Sequence, residues 1–152
     1  MSAKLKLTVV CLLLTALVLS AAAVSAPSTS SARTIIKTAF NKTLKKTIVV
    51  DGLGRTLYML TYDTKGIPTC EKADPACPQL WPALTSTGKP AAGKGINGSL
   101  LKIVRGAGGS RQVSYNRHPL YLYSSDTKPG EANGQAFYGL WYVLSPAGKP
   151  IK

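Results

Sequence analysis

From residue 47 onward the apolar positions fall in short runs, many alternating with polar residues and broken by glycine-containing turns, the signature of half-buried strands rather than helices. Residues 47–50 and 56–62, joined by Asp51-Gly52-Leu53-Gly54, read as a hairpin. Residues 65–78 form a loop rich in proline and charge, residues 81–85 a further strand, and residues 89–98 a Gly-, Ala- and Lys-containing connector. A second hairpin follows from 100–105 and 111–115 around the turn 106–110, and Asn116-Arg117 turns the chain into 119–124. Residues 140–144 and a short tail at 149–152 close the pattern. Residues 34–46 mix Ile35, Ile36, Phe40 and Leu44 with Lys37, Lys42, Lys45 and Lys46, which fits either a first strand or a short basic amphipathic segment. No long helix is predicted beyond residue 26, so the expected fold is all-β, a small single domain of short strands and hairpins.

One stretch recurs. Leu57-Tyr58-Met59-Leu60-Thr61-Tyr62-Asp63-Thr64-Lys65-Gly66 returns as Leu120-Tyr121-Leu122-Tyr123-Ser124-Ser125-Asp126-Thr127-Lys128-Pro129-Gly130. Each copy is followed by a second matching block, Leu80-Trp81-Pro82-Ala83-Leu84 with Gly88-Lys89-Pro90, then Leu140-Trp141-Tyr142-Val143-Leu144 with Gly148-Lys149-Pro150. The conserved order of matches argues for duplication, with repeat one at 47–90 and repeat two at 110–152 of a domain spanning 47–152. Side chains alternate along a strand, so Tyr58, Leu60 and Tyr62 share one face and Leu57 and Met59 the other. Tyr121, Tyr123 and Ser125 oppose Leu120 and Leu122 in the same way. Large residues on both faces predict central strands covered on both sides, in which each buried tyrosine must find a partner for its hydroxyl.

These residues resemble a bacterial family described as secreted repeats of unknown function, whose members are often called predicted lipoproteins with a Tyr-x-aromatic-x-x-Asp motif. Tyr121-Leu122-Tyr123-Ser124-Ser125-Asp126 fits the motif in full, whereas Tyr58-Met59-Leu60-Thr61-Tyr62-Asp63 carries Leu60 at the aromatic position. Cys70 and Cys77 ahead of Trp81-Pro82, the run His118-Pro119-Leu120-Tyr121, and Gly139-Leu140-Trp141-Tyr142 extend the resemblance over residues 47–152. It implies an exported protein and supplies no settled activity. Many members carry a lipid anchor, which needs a cysteine directly after the apolar leader.

Residues 1–26 read as a secretory signal peptide: Lys4 and Lys6, an apolar run from Leu7 to Leu19, and a small-x-small cleavage site at Val24-Ser25-Ala26. The run is shorter than the about 20 residues a membrane span needs, so no stable span is expected after cleavage. Cys11 lies at the front of the run rather than after it, so release rather than anchoring is expected. Residues 27–46 would then be a Ser-, Thr-, Ala- and Pro-rich tether followed by the candidate first strand. Beyond the leader stand 17 basic and six acidic residues, a net charge of +11. Such a charge favours anionic cell-wall polymers or acidic surfaces at the envelope. The lysines are scattered and no aromatic-and-basic ribonucleoprotein signature accompanies them, so no nucleic-acid partner is expected. The charge leaves the oligomeric state open.

Export places Cys70 and Cys77 where disulfides persist, and a bridge closing that short loop contributes about 2–3 kcal/mol in the chain-entropy treatment. Six intervening residues is not the spacing of redox pairs, and zinc ligands usually come in fours, so a structural clip is favoured. Asp63 and Asp126 each enter a Thr-Lys turn, where a carboxylate can accept backbone N–H bonds two residues on. The alternative joins them as a proton-sharing acid pair or cation site. An aspartic protease is excluded because Lys65 and Lys128 stand where that motif requires glycine. His118, the one histidine, excludes a multi-histidine centre but leaves a single haem or metal ligand open. The aromatic residues, among them Tyr58, Trp81, Tyr121, Tyr123 and Trp141, are expected in the core unless they form an exposed patch. No nucleophile elbow, His-Glu-x-x-His or phosphate loop occurs. No catalytic residue, metal or cofactor is therefore assigned. The leading reading is a non-enzymatic binding or structural module for anionic envelope components, with an extracellular redox or haem/metal-binding protein as the alternative and a hydrolase using Asp63 and Asp126 as the third.

Overall fold

The computed structural model describes residues 33–152. The signal-peptide reading of 1–26 and the tether up to residue 32 lie outside the described residues. In chain order the strands are β1 (Ile35–Asn41), β2 (Lys46–Asp51), β3 (Tyr58–Leu60), β4 (Ala91–Ala92), β5 (Leu101–Arg105), β6 (Arg111–Tyr115), β7 (His118–Pro119) and β8 (Trp141–Val143). Two single-turn helices, α1 (Cys70–Ala73) and α2 (Cys77–Leu80), interrupt the cysteine loop. The all-β expectation holds: the strands form three small sheets, ordered β2-β1-β4, β3-β8 and β5-β6-β7.

The segment at 34–46 is a strand. β1 pairs antiparallel with β2 from Ile36 opposite Asp51 to Asn41 opposite Lys46, and β4 lies parallel to it on the other edge. The first predicted hairpin is present but short: Val50 bridges Thr56, the Asp51 N–H donates to the Arg55 carbonyl at 3.0 Å and the Leu57 N–H to the Val49 carbonyl, while β3 beyond it pairs with β8 far along the chain. Residues 100–115 do form the second predicted hairpin, with Leu101 opposite Tyr115 and Arg105 opposite Arg111. Asn116 and Arg117, both at positive φ (47° and 68°), make the two-residue turn into β7 that matches the strand twist. The predicted strand at 81–85 is reduced to isolated bridges, Ala83 to Tyr121 and Thr85 to Gln112.

Strand alternation sorts the apolar side chains into two clusters. Ile48, Val50, Tyr58, Leu60, Tyr121 and Val143 enter one, with Cys70, Trp81 and Trp141. Val49, Leu57, Met59, Leu120 and Leu144 enter the other, with Ile36, Leu84, Leu101, Val113 and Tyr115. β2, β3 and the 120–123 segment therefore form a central layer covered on both sides, as their two apolar faces require. Backbone bonds knit the layer together: Val49 N–H to the Leu144 carbonyl at 2.9 Å and Leu57 N–H to the Val49 carbonyl at 3.2 Å. Each fully buried aliphatic or aromatic side chain contributes about 1.5–3 kcal/mol of hydrophobic stabilisation. Tyr62 departs from this scheme. β3 ends at Leu60, and Tyr62 is 59% exposed. Among the described residues no helix is long and apolar enough to cross a membrane.

Candidate functional site

The two recurring segments meet directly. Tyr58 and Tyr121 exchange both backbone hydrogen bonds, N–H to carbonyl at 2.9 and 3.0 Å, as a close antiparallel pair does. Alternation then sends both phenol rings into the same cluster. There Trp81 and Trp141 stack face to face, centroids 3.9 Å apart and planes inclined by 3°. Tyr58 meets Trp81 edge-on at 5.4 Å, and Tyr121 meets Trp141 edge-on at 5.1 Å. Tyr123 stacks on Trp81 at 4.4 Å, and Leu60 lies in the same cluster. Of the repeated-motif residues, Tyr58, Leu60, Trp81, Tyr121, Tyr123 and Trp141 are thus brought together. Edge-to-face and stacked pairs of this kind each add about 0.5–1.5 kcal/mol beyond burial.

The two aspartates serve different loops. The Tyr58 hydroxyl donates to Asp126 Oδ2 at 2.6 Å and accepts the Gly134 N–H at 3.3 Å, while Asp126 Oδ1 accepts the Asn133 N–H at 2.9 Å. Burial raises the Tyr58 phenol pKa, and the hydrogen bond to Asp126 raises it further. Across the pair, Asp63 Oδ1 accepts the Thr69 N–H at 2.7 Å and the Thr69 hydroxyl at 2.8 Å. Asp63 Oδ2 and the Tyr121 hydroxyl are both buried without a well-formed hydrogen bond. They are close enough to interact: burial and then the Asp63 charge raise the Tyr121 pKa. Burial likewise raises Asp63, opposed by the Thr69 hydroxyl and by Tyr121. Each tyrosine is therefore coupled to the aspartate of the other segment, and the two carboxylates share no hydrogen-bond partner. Their bonds reach six and seven residues along the chain rather than the two of a simple turn cap. The turn at Thr127-Lys128 is capped instead by Glu131, whose Oε2 accepts both backbone N–H groups at 2.6 and 3.0 Å. Those two amides, Lys128 first, hold the Glu131 carboxyl below its ordinary pKa. Sequence reasoning missed Glu131 because nothing in the first segment corresponds to it.

Cys70 and Cys77 form a disulfide, their Cα atoms 5.6 Å apart, which clips α1 to α2. A groove of about 550 Å³ runs beside the clip between Leu80, Phe137, Tyr62 and Tyr138, floored by Trp81 and Trp141. Tyr138 is 86% exposed and, with Ala136, holds a positive φ (50° and 59°). Left-handed backbone at two residues with Cβ atoms is strained and is found where the surrounding structure over-determines it. On the other side of the clip a second groove of about 290 Å³ is lined by Ile67, Glu71, Lys72, Arg105, Gln112 and Tyr121. Most aromatic residues are core, as expected, but Tyr62 and Tyr138 line one groove. His118 stands apart at the start of β7, half-buried, its Nδ1 without a hydrogen bond and its pKa lowered by burial and then by Arg117. No group of three His, Cys, Asp or Glu side chains that could hold a metal occurs among the described residues.

The charged residues divide unequally. Asp51 accepts the Leu53 and Arg55 N–H groups and pairs with the Arg55 guanidinium at 2.7 Å, the one ion pair among the described residues. Asp74 accepts the Ala76 N–H at 2.8 Å. Together with Asp63, Asp126 and Glu131, five of the six acids are thus engaged in holding turns and loops. The 17 basic residues outnumber the six acids by 11, and Arg55 is the one that forms an ion pair among the described residues.

Residues 102–145 match the model of a family described as secreted repeat of unknown function. No curated protein and no solved structure matches the chain. The matched segment holds Tyr121, Tyr123, Asp126 and Trp141, one partner of every tyrosine–aspartate and tryptophan pair described above. Residues 102–145 are thus similar to the secreted repeats of unknown function, a likeness consistent with an extracytoplasmic location.

Proposed function

We propose that this exported domain is a binding module for anionic components of the cell envelope, its recurring motif serving to hold the fold rather than to perform chemistry. The observation that carries the reading is the division of charge: 17 basic residues beyond the leader face six acids, a net charge of +11, and among the described residues only Arg55 forms an ion pair. Exposed charges of one sign attract polyanions through a field that salt screens within about 10 Å at 0.1 M. The reciprocal pairing of Tyr58 with Asp126 and Tyr121 with Asp63 supports reading 47–90 and 110–152 as duplicated halves that stabilise one another. On this reading His118 and the two aspartates are structural, and no cofactor takes part. Sedimentation with isolated envelopes tests it: the protein pellets with them at low ionic strength and is released by added salt. Binding that is indifferent to salt, or absent at low salt, overturns it.

A further inference from the structure

We propose that the turn between β1 and β2 is where the protein meets the envelope, and that what it docks on is the anionic lipid surface of a membrane. The inference rests on the electrostatic reading above and places it on named residues. Lys42, Lys45 and Lys46 are all exposed around this one four-residue turn, and Phe40, beside them at the end of the ladder, is 64% exposed. No acidic residue lies between Ile35 and Val50, and Asp51 at the far end of β2 is neutralised by Arg55. The turn is preformed: Asn41 Oδ1 accepts the Leu44 N–H at 2.9 Å, and Asn41 Nδ2 donates to the Gly130 carbonyl at 2.9 Å. That last bond sets the turn beside the loop carrying Lys128 and Glu131, whose charges offset one another, so the three lysines of the turn itself supply the positive patch. A surface ordered in advance loses little conformational entropy on binding.

Phe40 decides the occupant. A hydrophilic polyanion offers nothing to a phenyl ring held out among lysines, whereas a bilayer offers phosphate headgroups to the ammonium groups and the acyl boundary to the ring. Each lysine near an anionic leaflet strengthens binding about fivefold, so the three act together as about a hundredfold. The ring adds about tenfold on partial insertion.

The test uses phosphatidylcholine vesicles with and without phosphatidylglycerol, and soluble poly(glycerol phosphate) as the polymer arm. Wild-type protein should bind the phosphatidylglycerol vesicles and not the neutral ones. Lys42→Gln/Lys45→Asn/Lys46→Gln should weaken vesicle binding about a hundredfold, whereas Lys89→Gln/Lys102→Gln/Lys149→Gln, an equal loss at exposed sites elsewhere, should weaken it only a few-fold. Phe40→Ser should weaken binding to vesicles about tenfold and leave binding to poly(glycerol phosphate) unchanged. Equal losses from the two lysine triples overturn the placement while the electrostatic reading survives. Binding to the polymer but not the vesicles, or an unaffected Phe40→Ser variant, overturns the lipid surface as the occupant. If the protein binds neither, both proposals fall.

Discussion

Replacing Tyr58 by Phe removes one oxygen from the centre of the domain, where the ring is fully buried and the hydroxyl joins two segments distant in sequence. Two bonds are lost: the donation to Asp126 at 2.6 Å and the longer acceptance from Gly134 at 3.3 Å. A hydrogen bond to a charged group contributes about 1.5–3 kcal/mol, and the Gly134 amide is left without its acceptor, so the expected cost is about 2–3 kcal/mol. For a domain of this size that is a fall in Tm of about 10 °C. Tyr121→Phe is the informative control, because it deletes the corresponding hydroxyl, which makes no well-formed bond, and should cost less than about 1 kcal/mol. Urea unfolding of both variants with the disulfide intact measures the difference, provided the m-values match. Equal losses at the two positions would refute the asymmetry and mean that Tyr121 and Asp63 are as tightly bonded as Tyr58 and Asp126.

Burial holds the Asp63 carboxyl above its ordinary value, so the folded state binds that proton more tightly than the unfolded chain. Its contribution to stability therefore falls as pH rises above the ordinary aspartate pKa of about 3.9. Asp63→Asn keeps an acceptor for Thr69 without the buried charge. Its stability relative to wild type, followed by urea unfolding, should improve from acid to neutral pH, and a difference independent of pH would count against the burial argument. Reducing the Cys70–Cys77 disulfide should destabilise the domain by about 2–3 kcal/mol, read as a lower urea midpoint in dithiothreitol. Gly134→Ala would bring a Cβ to 2.7 Å from the Trp81 ring and 3.1 Å from Tyr58, and should cost about 1–3 kcal/mol in the same assay.

How much of this was legible depends on the range of the interaction. Alternation placed Tyr58 and Leu60 opposite Leu57 and Met59, and the two clusters follow from it. The hairpin at 100–115 and the disulfide were legible because turn residues and cysteine spacing are local signals. The partner of β3 was not, since Tyr58–Leu60 reads equally well against any apolar edge and its true partner lies some 80 residues away, at Trp141–Val143. β1 was ambiguous for a related reason: its buried Ile36 and exposed Phe40 do not alternate cleanly. The aspartates were singled out by repetition, but their asymmetry depends on loop geometry: Thr69 supplies both an amide and a hydroxyl to Asp63, whereas Asn133 supplies an amide to Asp126. Tyr62 was placed in the core by extending the strand too far. Its exposure beside Tyr138 follows from the chain turning after Leu60.

The excess of basic residues on the exterior is what the protein is proposed to use. Titrating labelled poly(glycerol phosphate) or anionic vesicles with the protein across a series of salt concentrations tests this directly. A linear fall of log K with log salt, reporting release of counterions as in other polyanion complexes, is the predicted result. Affinity that holds steady as salt rises would contradict it, and would move attention from the lysines to the groove between Tyr62 and Tyr138.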